Sequence, residues 1–177
     1  KYVPSPQADA LLEAEQLLAE GDIPAALSLY RAAWEDSGHA LDMTLAYAGA
    51  LVTASRFDDA ETVLNEIRLA DQDARYEQLV AQITLGREAA KSPEVEALEA
   101  ALSAQPDDHA TRVKLAISLS QTAQYRDALE HLLVVLRADK DFGDGEVRKV
   151  YLDTLATIGK GDPLAAEYQR KLFSLMY

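Results

Sequence analysis

The chain contains no cysteine among its 177 residues. A disulfide framework, thiolate catalysis and a cysteine-ligated metal are therefore excluded within it, and the compartment is left unmarked. Positive charge is scarce. Seventeen Lys and Arg stand against 30 Asp and Glu, giving a net charge of −13 and a pI near 4.6. Phosphate backbones are bound through Lys and Arg, so nucleic acid is not an expected partner. No run approaches the roughly 18 apolar residues of a membrane span, so no membrane partner is expected either. No signal peptide is visible at the start.

Histidine is also sparse. His39 falls in a turn, His109 in the first turn of a helix and His131 inside a helix. None pairs with another ligand residue at metal-binding spacing. The acidic stretch Asp139 to Gly145 has only a faint likeness to a calcium loop. With Asp139 as first ligand, the fifth position is Gly143 and the twelfth is Val150 where a Glu is needed. It reads as an acidic interhelix loop. Asp58-Asp59 and Asp107-Asp108 are accounted for by helix starts. There is no Gly-rich phosphate loop and no nucleophile elbow. No catalytic, metal-binding or cofactor-binding residue is assigned, and the chain is not expected to be an enzyme.

The charge is unevenly distributed. Residues 144–177 hold five acids and five bases, so the whole acidic excess lies in residues 1–143. Such a surface keeps a protein soluble.

What the chain does have is a helical period of 3.6 almost throughout, and a longer repeat above it. Leu17, Leu51, Leu85 and Leu119 recur every 34 residues. Ala14, Ala48 and Ala116 stand three places earlier, with Gln82 breaking the column. Ala26, Ala60 and Ala128 form another, broken by Glu94. Tyr30, Leu64, Leu98 and Leu132 follow, then Ala33, Ile67, Ala101 and Val135. A 34-residue period with small residues at helix contacts is the tetratricopeptide signature, in which paired helices stack into a solenoid that binds other proteins. The expected fold is all-α, a tetratricopeptide-like solenoid of about ten helices in antiparallel pairs. Residues 8–142 hold four pairs, the third degenerate, and residues 143–177 a C-terminal helical hairpin outside the register. The expected helices run over about 8–20, 24–35, 41–54, 57–69, 73–90, 94–104, 108–122, 125–139, 145–158 and 163–177. Wider helix spacing is expected at the third pair, where Gln82 and Glu94 replace alanine.

Two candidate binding surfaces follow. First helices of tetratricopeptide pairs line the concave side, which places Leu11, Leu18, Leu45, Val52, Leu79, Ile83, Val113 and Ile117 inward as an apolar groove. A clamp for a C-terminal carboxylate is not expected, because only Lys114 supplies a base at the relevant positions. The last helix has two apolar faces. With Leu164 at zero and about 100° per residue, Leu175, Tyr168 and Leu172 fall at about 20°, 40° and 80°. Phe173 and Tyr177 fall at about 180° and 220°, with Met176 between. One face suffices for packing on the preceding helix. Arg170, Phe173, Met176 and Tyr177 are therefore candidates for contact with a partner.

The segments LNEIRLADQD and DQDARYEQLVAQI, ending at residue 83, and GDPLAAEYQRKLFSLMY at 161–177 are more distinctive than generic repeat sequence. They resemble the C-terminal half of the chaperedoxins, the thioredoxin-like YbbN (CnoX) family, over essentially the whole chain. The resemblance implies a bacterial cytosolic stress holdase and co-chaperone that binds unfolding clients and passes them to the GroEL chaperonin or to DnaK. It implies that the N-terminal thioredoxin-like domain, which carries the redox cysteine, is absent from this chain, which starts Lys-Tyr-Val-Pro. Residues 1–7 would be the remnant of the interdomain linker. It further implies that residues 163–177 form the helix that docks on the chaperonin. A tetratricopeptide scaffold for a complex unrelated to protein folding is the alternative expectation.

Overall fold

The computed structural model describes residues 6–177. The expected linker remnant at 1–7 lies outside the described residues as far as residue 5. Every regular element among the described residues is helical. The chain divides into two compact units, residues 1–88 and 89–177.

Unit 1 is built from α1 (Pro6–Glu20), α2 (Ile23–Asp36), α3 (Leu41–Thr53), α4 (Phe57–Leu64), a 3₁₀ turn at Leu69–Asp71 and α5 (Ala74–Ala90), whose last two residues cross the boundary. Its core gathers Leu27, Tyr30, Leu45, Tyr47, Leu51 and Leu64, with Leu11, Leu18 and Trp34 packed against them. Unit 2 comprises α6 (Pro93–Ala104), α7 (His109–Gln121), α8 (Tyr125–Ala138), α9 (Glu146–Ile158) and α10 (Pro163–Met176). Its core centres on α8, where Leu129, Leu132, Leu133 and Leu136 are wholly buried beside Tyr151 and Tyr168.

The alanine columns explain the helix pairing. Ala14, Ala26, Ala48, Ala60, Ala116 and Ala128 have no accessible surface at all. At these positions a larger side chain would hold two helix axes apart. The turns between paired helices repeat as well. The N–H groups of Asp22, Arg56 and Gln124 donate to the carbonyls of Leu17, Leu51 and Leu119 at 2.9, 2.8 and 2.9 Å. Each turn passes through a left-handed residue, Gly21, Ser55 or Ala123, at φ of 88°, 59° and 59°. This is the six-residue closure common at helix ends, which satisfies an orphan carbonyl.

The third pair departs from that geometry. Its register places Ala89 where the turn residue stands elsewhere, yet Ala89 is still helical, so α5 runs on. Gln82 and Glu94 are exposed, and Leu85, in register with two buried leucines, is 65% exposed. Ile83 faces the core of unit 1 instead. A Cβ added at Gly86 would overlap the Phe57 ring, so the glycine lets α5 lie close to α4. Arg87 secures the same end through ion pairs to Asp58 and Glu61. The two helices of this pair fall in different units, α5 closing the first and α6 opening the second.

Helix starts follow the sequence chemistry. The side chains of Asp22, Ser92, Asp108 and Asp162 accept from backbone N–H groups of Ala25, Val95, Thr111 and Leu164, each cap contributing about 1 kcal/mol. One element is shorter than its periodicity suggests. Helix α4 stops at Leu64, and Ile67 reaches the core from a following turn.

Candidate interaction surface on the last helix

The last hairpin shows how one helix face is spent and the other left over. Gly145, at φ 87°, starts α9, and Asp162 and Pro163 start α10. Leu164, Ala165, Tyr168 and Leu172 point into the core of unit 2, with Leu175 and Met176 half-buried against it. The buried Tyr151 hydroxyl donates to the Tyr168 carbonyl at 2.7 Å.

A polar clamp completes the seat. The Tyr168 hydroxyl and the Lys171 ammonium both donate to Glu130 Oε1 on α8, at 2.7 Å each. Lys171 also pairs with Glu167 at 3.0 Å, one helical turn earlier, and Arg126 reaches Glu167 at 3.3 Å. The ammonium stands 4.1 Å from the Tyr168 ring centroid, within cation–π range. Lys171, opposed by burial and aided by the Tyr168 hydroxyl, holds the Glu130 carboxyl below the usual carboxylate range. Burial alone would raise Glu167, but Lys171 and Arg126 outweigh it and its pKa is lowered too. Burial, reinforced by Glu130, pushes the Tyr168 hydroxyl up to about 12. Both carboxylates are thus ionised and engaged at neutral pH.

The opposite face carries the leftover aromatics. Phe173 is 65% exposed and Tyr177 is 93% exposed. Their rings lie 4.8 Å apart, tilted by 36°. Arg170, also exposed, separates two surface depressions. One, of about 460 Å³, is lined by Arg137, Glu167, Arg170, Lys171, Ser174 and Leu175. The other, of about 350 Å³, is lined by Ala166, Gln169, Arg170 and Phe173. Of the four candidate contact residues on this helix, Arg170, Phe173 and Tyr177 share the outer surface, while Met176 turns half-inward.

The expected concave residues are placed differently. Leu45 and Ile83 are buried in the core of unit 1, and Leu11, Leu18, Val52 and Leu79 pack against it. Val113 packs against the core of unit 2. Ile117, at 37%, is the most exposed of the eight. The apolar face of these first helices is occupied by side chains of its own unit, and α3 shows why. Thr44, Leu45, Tyr47, Ala48, Ala50 and Leu51 surround it on several sides and all are buried. Five of the eight, Leu11, Leu18, Val52, Leu79 and Val113, are thus half-buried against the core of their own unit. The three histidines each meet a ring or a charged side chain. His39 stacks on Trp34 with centroids 3.8 Å apart and contacts Glu66 at 2.7 Å. His109 meets Phe142 edge-on. His131 lies against Arg112, and burial with that neighbouring charge lowers its pKa. No group of three or more His, Cys, Asp or Glu side chains among the described residues could hold a metal ion. No helix among them is long and apolar enough to cross a membrane.

Comparison with known proteins agrees with this architecture. The tetratricopeptide repeat family matches twice, over residues 17–83 and residues 88–177. A Haemophilus influenzae protein described as uncharacterized is 36% identical over 154 residues, which cover 86% of this chain and 70% of that protein. The crystal structure of a domain of a Vibrio parahaemolyticus protein of unknown function is 33% identical with a TM-score of 0.74. It covers 95% of this chain, and the match spans 98% of that domain.

Proposed function

The chain belongs to the tetratricopeptide repeat family, an architecture of protein-interaction scaffolds rather than of catalytic sites, and on that premise we propose that it is the protein-binding region of a bacterial stress holdase and co-chaperone. In this reading it acts in the cytoplasm, binds unfolding clients and docks on the GroEL chaperonin, with DnaK as a second acceptor. A thioredoxin-like domain would precede it in the complete protein. The likeness of residues 71–83 and 161–177 to the chaperedoxins motivates the choice of partner.

One observation carries the docking half: a helix locked into the core on one face presents a bare aromatic pair, Phe173 and Tyr177, on the other. A preformed helix with aromatic anchors suits insertion into an apolar groove of a partner, because little ordering entropy remains to be lost. The holding half has weaker support in single exposed apolar side chains, Leu12, Leu69 and Leu85 in unit 1. The acidic exterior would keep a loaded complex in solution.

The test is direct binding to purified chaperonin, together with light scattering of a chemically unfolded client in the presence of the chain. Saturable chaperonin binding supports the proposal. If the chain neither binds chaperonin nor slows client aggregation, the reading fails and a scaffold unrelated to protein folding takes its place. Deleting residues 163–177 is a poor control, because it strips Leu164, Tyr168 and Leu172 from the core. Substitution of the outer aromatics leaves that core intact.

A further inference from the structure

The surface beside the aromatic pair is electrostatically unlike the rest of the chain. The protein carries a net charge of −13. At the junction of α8 and α10, however, four bases, Arg126, Arg137, Arg170 and Lys171, stand with two acids, Glu130 and Glu167. Both acids are taken: Lys171 binds both, and Arg126 binds Glu167. Arg137 and Arg170 enter no ion pair among the described residues, and both line the depression of about 460 Å³ with Ser174 and the paired Lys171 and Glu167 at its wall. Two guanidinium groups and a hydroxyl offer hydrogen-bond donors to one concavity. Arg170 also borders the depression floored by Ala166 and Phe173. A cationic site and an apolar site therefore lie side by side, divided by one side chain.

We infer that the outer face of α10 takes an acidic amphipathic segment of a partner protein, with a carboxylate between Arg137 and Arg170 and a neighbouring apolar side chain against Phe173. The inference rests on α10 being the docking element and adds the chemistry of what it docks on. Guanidinium groups favour carboxylates through paired, charge-assisted hydrogen bonds. The acidic excess of residues 1–143 repels such a segment, so its charge steers it toward this corner. A basic amphipathic segment meets the reverse field and is drawn away from α10.

The probes are two synthetic peptides with identical leucines, one bearing glutamates and the other lysines in their place. Each is titrated into the isotope-labelled chain in about 0.15 M salt, where only nearby charges act, and followed by amide chemical shifts. The glutamate peptide is expected to shift residues 166–177, and Arg137→Gln/Arg170→Gln to weaken it roughly tenfold at unchanged melting temperature. Shifts confined to other residues, or equal shifts of 166–177 by the lysine peptide, overturn the inference. Purified chaperonin separates this claim from the docking claim. If chaperonin binding is lost in Phe173→Ala but untouched in the double arginine variant, the acidic partner is wrong and docking stands. If chaperonin does not bind yet the glutamate peptide selects 166–177, the docking target is wrong and the acidic preference stands.

Discussion

Replacing Gly21 by alanine should destabilise unit 1 by about 1 kcal/mol, and the reason lies wholly in the backbone. Gly21 closes the turn between α1 and α2 at φ 88°, and an added Cβ would meet nothing within 4 Å. Steric overlap with neighbours is therefore absent. What remains is the left-handed conformation, which costs a residue with a Cβ about 1–2 kcal/mol. Loss of glycine's freedom in the unfolded chain offsets roughly 0.4–1 kcal/mol of this. Ser55 and Ala123 occupy the same place in later repeats at φ 59° and already carry the strain. Ser55→Gly and Ala123→Gly should accordingly stabilise by a similar amount. Trp34 is the single tryptophan and lies in unit 1, so its fluorescence reports urea unfolding there, while circular dichroism covers unit 2. A change of 1 kcal/mol moves the melting point of a unit this size by roughly 4–8 °C. A neutral Gly21→Ala together with a destabilising Ala123→Gly would refute the account of the turns.

Four further outcomes follow from the packing and the clamp. Ala128→Leu forces a larger side chain between helices at a site with no accessible surface and should cost about 1–3 kcal/mol. Gln82→Leu, in the column of Ala14, Ala48 and Ala116 but exposed on α5, should stay within about 0.5 kcal/mol in the same urea assay. Tyr151→Phe removes the buried hydrogen bond to the Tyr168 carbonyl and should lower the stability of unit 2 by about 1 kcal/mol. The lowered carboxyl pKa values of Glu130 and Glu167 stabilise the fold fully above the ordinary carboxylate range, and that stability is lost as pH falls through the lowered values. Hydrogen exchange of α10 should therefore accelerate at acid pH before that of α7, and Lys171→Met should flatten the dependence. If α10 and α7 lose protection together, the clamp does not hold the helix.

The alanine columns and the helix starts at Asp58-Asp59 and Asp107-Asp108 were legible in the sequence because each follows a local rule. A residue with no room for a larger side chain must be small, and a helix start must satisfy its N–H groups. The two faces of α10 were legible for the same reason, since about 100° per residue separates Leu164, Tyr168 and Leu172 from Phe173 and Tyr177. The full burial of Leu45 and Ile83 was not. Leu45 and Ile83 carry the right periodicity, but periodicity cannot say whether an apolar face meets solvent or a neighbouring helix. The rotation of α5, which buries Ile83 and turns Leu85 outward, depends on how Phe57 lies over Gly86, a contact spanning much of unit 1. The clamp was half visible. Glu167 and Lys171 are one turn apart, but Glu130 joins them only through the packing of α8 against α10.

The most direct measurement is the affinity of purified chaperonin for the intact chain and for Phe173→Ala/Tyr177→Ala. Both rings are exposed, so the variant should melt within a few degrees of the parent while binding at least roughly tenfold more weakly, the loss of an aromatic anchor. Equal affinity of the two proteins at equal stability would contradict the claim that the bare face of the last helix is the docking surface.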